Sequence, residues 1–151
     1  MEREVEGLAP LELSEFVDRV LKEDLGAGGD ITSVATVSID ACLCGAIVAR
    51  QPLTLAGVGV AAAFFRRLDP GVRIAKLAAD GAALAPGAQV LRVEGQARAL
   101  LAAERSALNT LAHLSGIATM AGTYAKAIEG TGCTLLDTRK TVPGLRSLAK
   151  Y

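Results

Sequence analysis

Five consecutive residues, Asp137, Thr138, Arg139, Lys140 and Thr141, carry the densest chemistry in this sequence. They follow a short apolar run, Cys133, Thr134, Leu135 and Leu136, and precede a helix that Pro143 can open. The pattern predicts a strand over residues 133–137 with the charged residues at its carboxyl end, where β/α folds place their sites. A guanidinium is a planar fork for a carboxylate or phosphate, and the ammonium beside it adds a compact positive charge. Thr138 and Thr141 add hydroxyl donors. The set suits a ligand with several negative charges. The plainer alternative is a solvated loop with two surface cations.

Arg105 is the second candidate. Helical spacing puts it near Leu101, Leu108 and Ala112, on the apolar side of a helix. A cation there needs an anionic partner. A structural carboxylate or a ligand could supply it, and Asn109, one turn later, could orient it. His113, the single histidine, lies on the same helix and reads more readily as structural than as catalytic. Cys42 and Cys44 share a strand face, but zinc needs about four ligands and no matching second cluster exists. Cys133 reads as a core residue. The glycine loop at residues 26–29 matches neither a P-loop nor a dinucleotide fingerprint.

The elements that must position these residues follow from pattern. Pro10 suits the first position of a helix that ends near Asp24, with Leu13, Phe16, Val17, Val20 and Leu21 at helical spacing. Asp30, Thr32 and Ser33 read as a polar turn after the glycines. Strands are expected over residues 41–50, 53–56, 72–77 and 89–94, with a helix over 57–68 and turns at Asp69-Pro70-Gly71, Asp80-Gly81 and Pro86-Gly87. The first ~95 residues therefore read as an α+β unit, an antiparallel sheet with helices on one side. Residues 99–128 are helical, with a kink or a break into two helices at Gly116 and Gly122, since each glycine costs ~1 kcal/mol relative to alanine. A strand and a final helix from Pro143 then look like the start of a β/α series.

Composition narrows the function. Sixteen basic residues balance sixteen acidic ones, so no basic field exists for nucleic acid. Apolar residues make up 51%, enough for a sizeable core. No apolar run reaches the ~18 residues of a membrane span. Residues 1–4 are charged and lack a signal-peptide core, and three cysteines, an odd count, favour reduced thiols. The expectation is a soluble cytoplasmic protein.

Several motifs, in order, carry a resemblance to a known family. They are Glu104-Arg105-Ser106-Ala107-Leu108-Asn109, Leu114-Ser115-Gly116-Ile117-Ala118-Thr119, and Asp137-Thr138-Arg139-Lys140-Thr141-Val142-Pro143-Gly144-Leu145-Arg146. Together they closely resemble quinolinate phosphoribosyltransferase, also called nicotinate-nucleotide pyrophosphorylase (carboxylating). Glu23-Asp24-Leu25-Gly26 and Gly29-Asp30-Ile31-Thr32-Ser33 resemble its N-terminal pattern.

The resemblance implies an α/β sandwich domain over residues 1–100. Residues 101–151 would then be a linking helix and the first β/α element of an incomplete phosphoribosyltransferase barrel. It implies transfer of a phosphoribosyl group from phosphoribosyl pyrophosphate to quinolinate with decarboxylation, giving nicotinate mononucleotide in NAD biosynthesis. Magnesium would accompany the pyrophosphate. Arg139, Lys140 and Thr138 would bind substrate, with Lys140 also catalytic. Arg105 would reach the active site of a partner subunit in a homodimer or a higher homo-oligomer built from dimers. Residues 133–151 are fewer than one ~30-residue βαβ unit. The chain is thus expected to be a partial sequence, inactive alone, with the magnesium ligands elsewhere. Alternatives are the molybdenum-transport-associated relative, disfavoured by Asp137 and the run Pro143 to Arg146, and a catalytically silent dimerisation module.

Overall fold

The computed structural model describes residues 9–151; the charged run at residues 1–4 lies outside them. Helix α1 spans Pro10–Leu25 with Pro10 in its first turn, where the missing N–H costs nothing. Leu13, Phe16, Val17 and Leu21 form its buried stripe, and Phe16 meets Phe64 edge-on at 6.0 Å. Gly26, at φ 56°, ends the helix and donates its N–H to the Lys22 carbonyl.

The polar turn expected after the glycines is instead a short helix, α2, Ile31–Thr36. Asp30 caps it by accepting from the Ser33 N–H at 3.0 Å and from the Ser33 hydroxyl, satisfying an otherwise orphaned donor. At the far end the Arg98 guanidinium donates to the carbonyls of Val34 and Val37. That second cap comes from more than sixty residues away, so local sequence could not announce it.

Strands β1 (Cys42–Val48), β2 (Leu53–Thr54), β3 (Arg73–Lys76), β4 (Ala83–Leu84) and β5 (Gln89–Gln96) form two antiparallel sheets. One has the order β1-β5-β3, the other pairs β2 with β4. Strand β4 was not foreseen; it is two residues long and sits between the turn glycines Gly81 and Gly87. In the larger sheet Leu91 and Val93 point inward beside Ile47 and Ile74, while Cys42, Cys44, Glu94 and Arg73 face solvent. Helix α3 (Val58–Leu68) supplies the centre of the core through Val60, Ala61, Phe64 and Phe65.

Helix α4 spans Ala97–Ala127 without a break, so the expected division at Gly116 and Gly122 does not occur. Leu100, Ala103, Ala107, Leu111 and Leu114 are buried along it. All of these precede Gly116; beyond it Thr119 ties the helix to β2 by accepting from the Thr54 N–H at 2.8 Å. The expected strand at residues 133–137 is also absent. Among the described residues no other strand lies beside it, and strand backbone groups need a neighbour to pair with. The final helix, α5, is only Arg146–Ala149, and its Leu148 is buried in the core. Cys133, expected in the core, is exposed.

The candidate anion site

Residues 133–140 are exposed, and their placement comes from the segment that follows. Leu148 anchors that segment in the core. The Leu145 N–H donates to the Val142 carbonyl at 3.0 Å, and Arg19 donates to the Gly144 carbonyl at 3.5 Å. Lys150 forms an ion pair with Asp137. The Lys140 N–H donates to the Thr138 hydroxyl at 3.1 Å, a local turn of the kind threonine favours.

Electrostatically this leaves two adjacent cations. Asp137 carries the single side-chain carboxylate in residues 130–151, and Lys150 already pairs with it. Neither Arg139 nor Lys140 has an ion-pair partner among the described residues. Two neighbouring unneutralised cations attract a multivalent anion, and the guanidinium gives that attraction a preferred geometry.

Arg105 does not lie on the buried side of α4. Its side chain is 76% exposed, and the buried stripe runs one position away, through Leu100, Ala103 and Ala107. Its polar partner is Asp24 rather than Asn109: Nη1 lies 3.5 Å from Oδ1 of Asp24, whose side chain is 22% exposed. The Ser106 hydroxyl lies at 3.5 Å from the other Asp24 oxygen. Asp30 is close enough to feel the same cation. Its carboxyl is held below the ordinary range chiefly by the Ser33 hydroxyl and N–H, with the Arg105 charge adding to them. No hydrogen bond or ion pair among the described residues joins Arg105 to Thr138, Arg139 or Lys140. His113 is exposed on α4.

The motif Leu114 to Thr119 has a structural task. The Ser115 hydroxyl accepts from the Ala56 N–H at 3.1 Å, and Thr119 Oγ1 accepts from the Thr54 N–H at 2.8 Å. Thr119 in turn donates to the Ser115 carbonyl at 2.7 Å. Together they pin strand β2 and the residues after it to α4. Leu114 fills the space against Gly57, where an added Cβ would come within 2.6 Å of it. An open cleft of about 470 Å³ beside this motif is lined by Val48, Pro52, Leu108, Ala112 and Met120 among others. It includes none of Arg105, Arg139 and Lys140, and so is separate from the cationic segment.

The described residues do not fit magnesium. No group of three or more His, Cys, Asp or Glu side chains converges among them, and Asp137 is engaged by Lys150. No helix among them is long and apolar enough to cross a membrane.

The model of the quinolinate phosphoribosyl transferase N-terminal domain matches residues 30–115, and that of its C-terminal domain matches residues 117–151. The chain belongs to the quinolinate phosphoribosyltransferase family. It is 44% identical over 139 residues to the nicotinate-nucleotide pyrophosphorylase [carboxylating] of Mycobacterium leprae, covering 91% of this chain and 49% of that relative. The crystal structure of NadC from Streptococcus pyogenes superposes with a TM-score of 0.87 at 34% identity, covering 92% of this chain and 49% of that one. The nicotinate-nucleotide pyrophosphorylase from Francisella tularensis gives 0.88 at 32%, covering 100% and 52%. The chain thus spans about half the length of the relatives it matches. The antiparallel sheet with its helices is consistent with the N-terminal domain whose model matches residues 30–115.

The sequence points to Arg105, Thr138, Arg139 and Lys140. It places Asp24 within a motif but gives it no role. The available signal was electrostatic: an aspartate in the last turn of a helix sits at the negative end of the dipole.

Proposed function

We propose that this chain supplies substrate-binding cations for phosphoribosyl transfer from phosphoribosyl pyrophosphate to quinolinate. The products are nicotinate mononucleotide, carbon dioxide and pyrophosphate, in NAD biosynthesis. The observation that carries the reading is the pair Arg139–Lys140, exposed and without ion-pair partners among the described residues, within the stretch matched by the family's C-terminal model. Quinolinate carries two adjacent carboxylates. Arg139 grips one through its fork, and Lys140 serves the carboxylate and the pyrophosphate, stabilising the charge that develops as pyrophosphate departs. Thr138 shapes the turn that sets the Lys140 backbone. Magnesium belongs with phosphoribosyl pyrophosphate, and no step is assigned to it through these residues.

The placement of Arg105 favours a role in a neighbouring subunit's site. Its guanidinium is held by Asp24 at the end of α1, while residues 137–140 are held through Lys150 and α5, and no described contact bridges the two groups. A homodimer in which each Arg105 reaches across reconciles the two. In this reading residues 1–100 are the sandwich domain, residues 101–151 enter the barrel, and the enzyme is cytoplasmic.

The test is quinolinate affinity in an enzyme spanning the relatives' full length. Arg139→Ala and Lys140→Ala each remove a charge-assisted contact worth ~1.5–3 kcal/mol, so each should weaken binding by about tenfold or more. Unchanged affinity in both variants would refute the assignment.

A further inference from the structure

We propose that Asp24 is a positioning residue that holds the Arg105 guanidinium by one nitrogen and leaves its opposite edge free for an anionic ligand. The proposal rests on the substrate role of Arg105 given above and assigns the group that makes that role workable.

Three observations converge on it. First, Arg105 is on the solvent side of α4 with its side chain 76% exposed. A long exposed side chain samples many rotamers, and immobilising one on binding carries an entropic cost. Second, the contact is one-sided. Asp24 Oδ1 faces Nη1 at 3.5 Å, which leaves Nε and Nη2, the side-on fork that grips carboxylates in two parallel hydrogen bonds. Third, Asp24 breaks a local rule. It lies in the last turn of α1, where the helix dipole disfavours a carboxylate, and its side chain is only 22% exposed. A local rule broken without local gain marks a residue kept for another purpose.

The surroundings suit that purpose. Ser106, buried beside Arg105, points its hydroxyl at the second Asp24 oxygen, at 3.5 Å, which fixes the carboxylate that fixes the guanidinium. Asp30 stands close enough for its titration to register the Arg105 charge, and its own hydrogen bonds to Ser33 keep it occupied. Asp24 thus makes the contact, and Asp30, occupied by Ser33, does not compete for the free fork.

Two readouts test the tether. The first needs no activity and uses the 151-residue chain: phenylglyoxal modification of Arg105, followed by peptide mass spectrometry. An exposed ion pair is worth ~0.2–1 kcal/mol, so Asp24→Asn should speed Arg105 modification by about 1.4- to fivefold while Arg139 reacts at its former rate. Asp24→Ser, as a second variant, should do the same. An unchanged Arg105 rate in both variants overturns the proposal.

The second readout is steady-state kinetics in an enzyme spanning the relatives' full length. Asp24→Asn should raise the quinolinate KM by about three- to tenfold with kcat nearly unchanged. In an Arg105→Ala background the same change should have almost no effect. Equal effects in both backgrounds would show that Asp24 does not act through Arg105 and would overturn the positioning role. An Arg105→Ala enzyme with an unchanged KM would instead overturn the substrate reading. The modification rates would still report whether Asp24 holds the guanidinium.

Discussion

Removing the Ser115 hydroxyl should destabilise the fold without touching the anion site. In the folded chain Ser115 is 3% exposed, and its Oγ accepts the Ala56 N–H at 3.1 Å. Ser115→Ala leaves that donor without its acceptor in a half-buried place. An unsatisfied buried donor costs ~1–3 kcal/mol, and the lost oxygen leaves little space, so the estimate is ~2 kcal/mol. For a chain of this size each kcal/mol shifts the melting temperature by ~2–4 °C, giving a fall of ~4–8 °C. The assay is thermal unfolding by circular dichroism, with Thr119→Val beside it. That variant removes the acceptor of the Thr54 N–H and should cost a similar amount. Because both hydroxyls hold the same short strand, the double variant should cost less than the sum of the two. A fall below about 1 °C in both single variants would refute the view that Leu114 to Thr119 is a clamp on β2.

Gly57→Ala should be more damaging than most surface changes. The position has φ 92°, and the new Cβ would come within 2.6 Å of Leu114. Backbone strain and overpacking together give about 2–4 kcal/mol, measurable as a lower urea midpoint; an unchanged midpoint would refute it. Asp30→Ala should destabilise in a pH-dependent way. The folded pKa of Asp30 is lowered from 3.8, so its stabilisation is complete above that value and is lost as pH falls through the folded pKa. Denaturant titrations should show the variant weaker than the parent at pH 7 and the gap narrowing below about pH 4; a constant gap would contradict the Ser33 cap.

Much of this fold could be read from periodicity. α1, α3, β1, β3 and β5 fall within a few residues of their expected places because their apolar spacing is itself what buries them. What escaped depended on distant partners. α2 relies on Arg98 for its C-terminal cap, and β4 exists only as the mate of β2. Around Gly116 and Gly122, α4 is tied to β2 and the residues after it through Ser115 and Thr119, which a count of glycine propensities does not contain. Arg105 was placed on the wrong face because α4 is alanine-rich. With small residues on several sides, the apolar stripe is ambiguous by about one position, and only packing shows that Ala103 and Ala107 are inside. The cationic segment was legible as chemistry, since Arg139 and Lys140 are exposed and have no ion-pair partner among the described residues. Its expected strand was not, because strand formation is a property of pairs. Asp24 was overlooked since its meaning lies in a contact across 81 residues.

The central claim is that Arg105 and the Arg139–Lys140 pair serve one anion site from two subunits. Subunit complementation tests it directly. Enzymes spanning the relatives' full length are prepared as Arg105→Ala and as Arg139→Ala, each with low pyrophosphate release from quinolinate and phosphoribosyl pyrophosphate. They are then mixed in equal amounts and allowed to exchange. In a two-fold dimer with shared sites, half of the dimers are mixed and each has one intact site, so activity should recover to about a quarter of the parent's. Activity that stays at the level of the separate variants after exchange would contradict the claim.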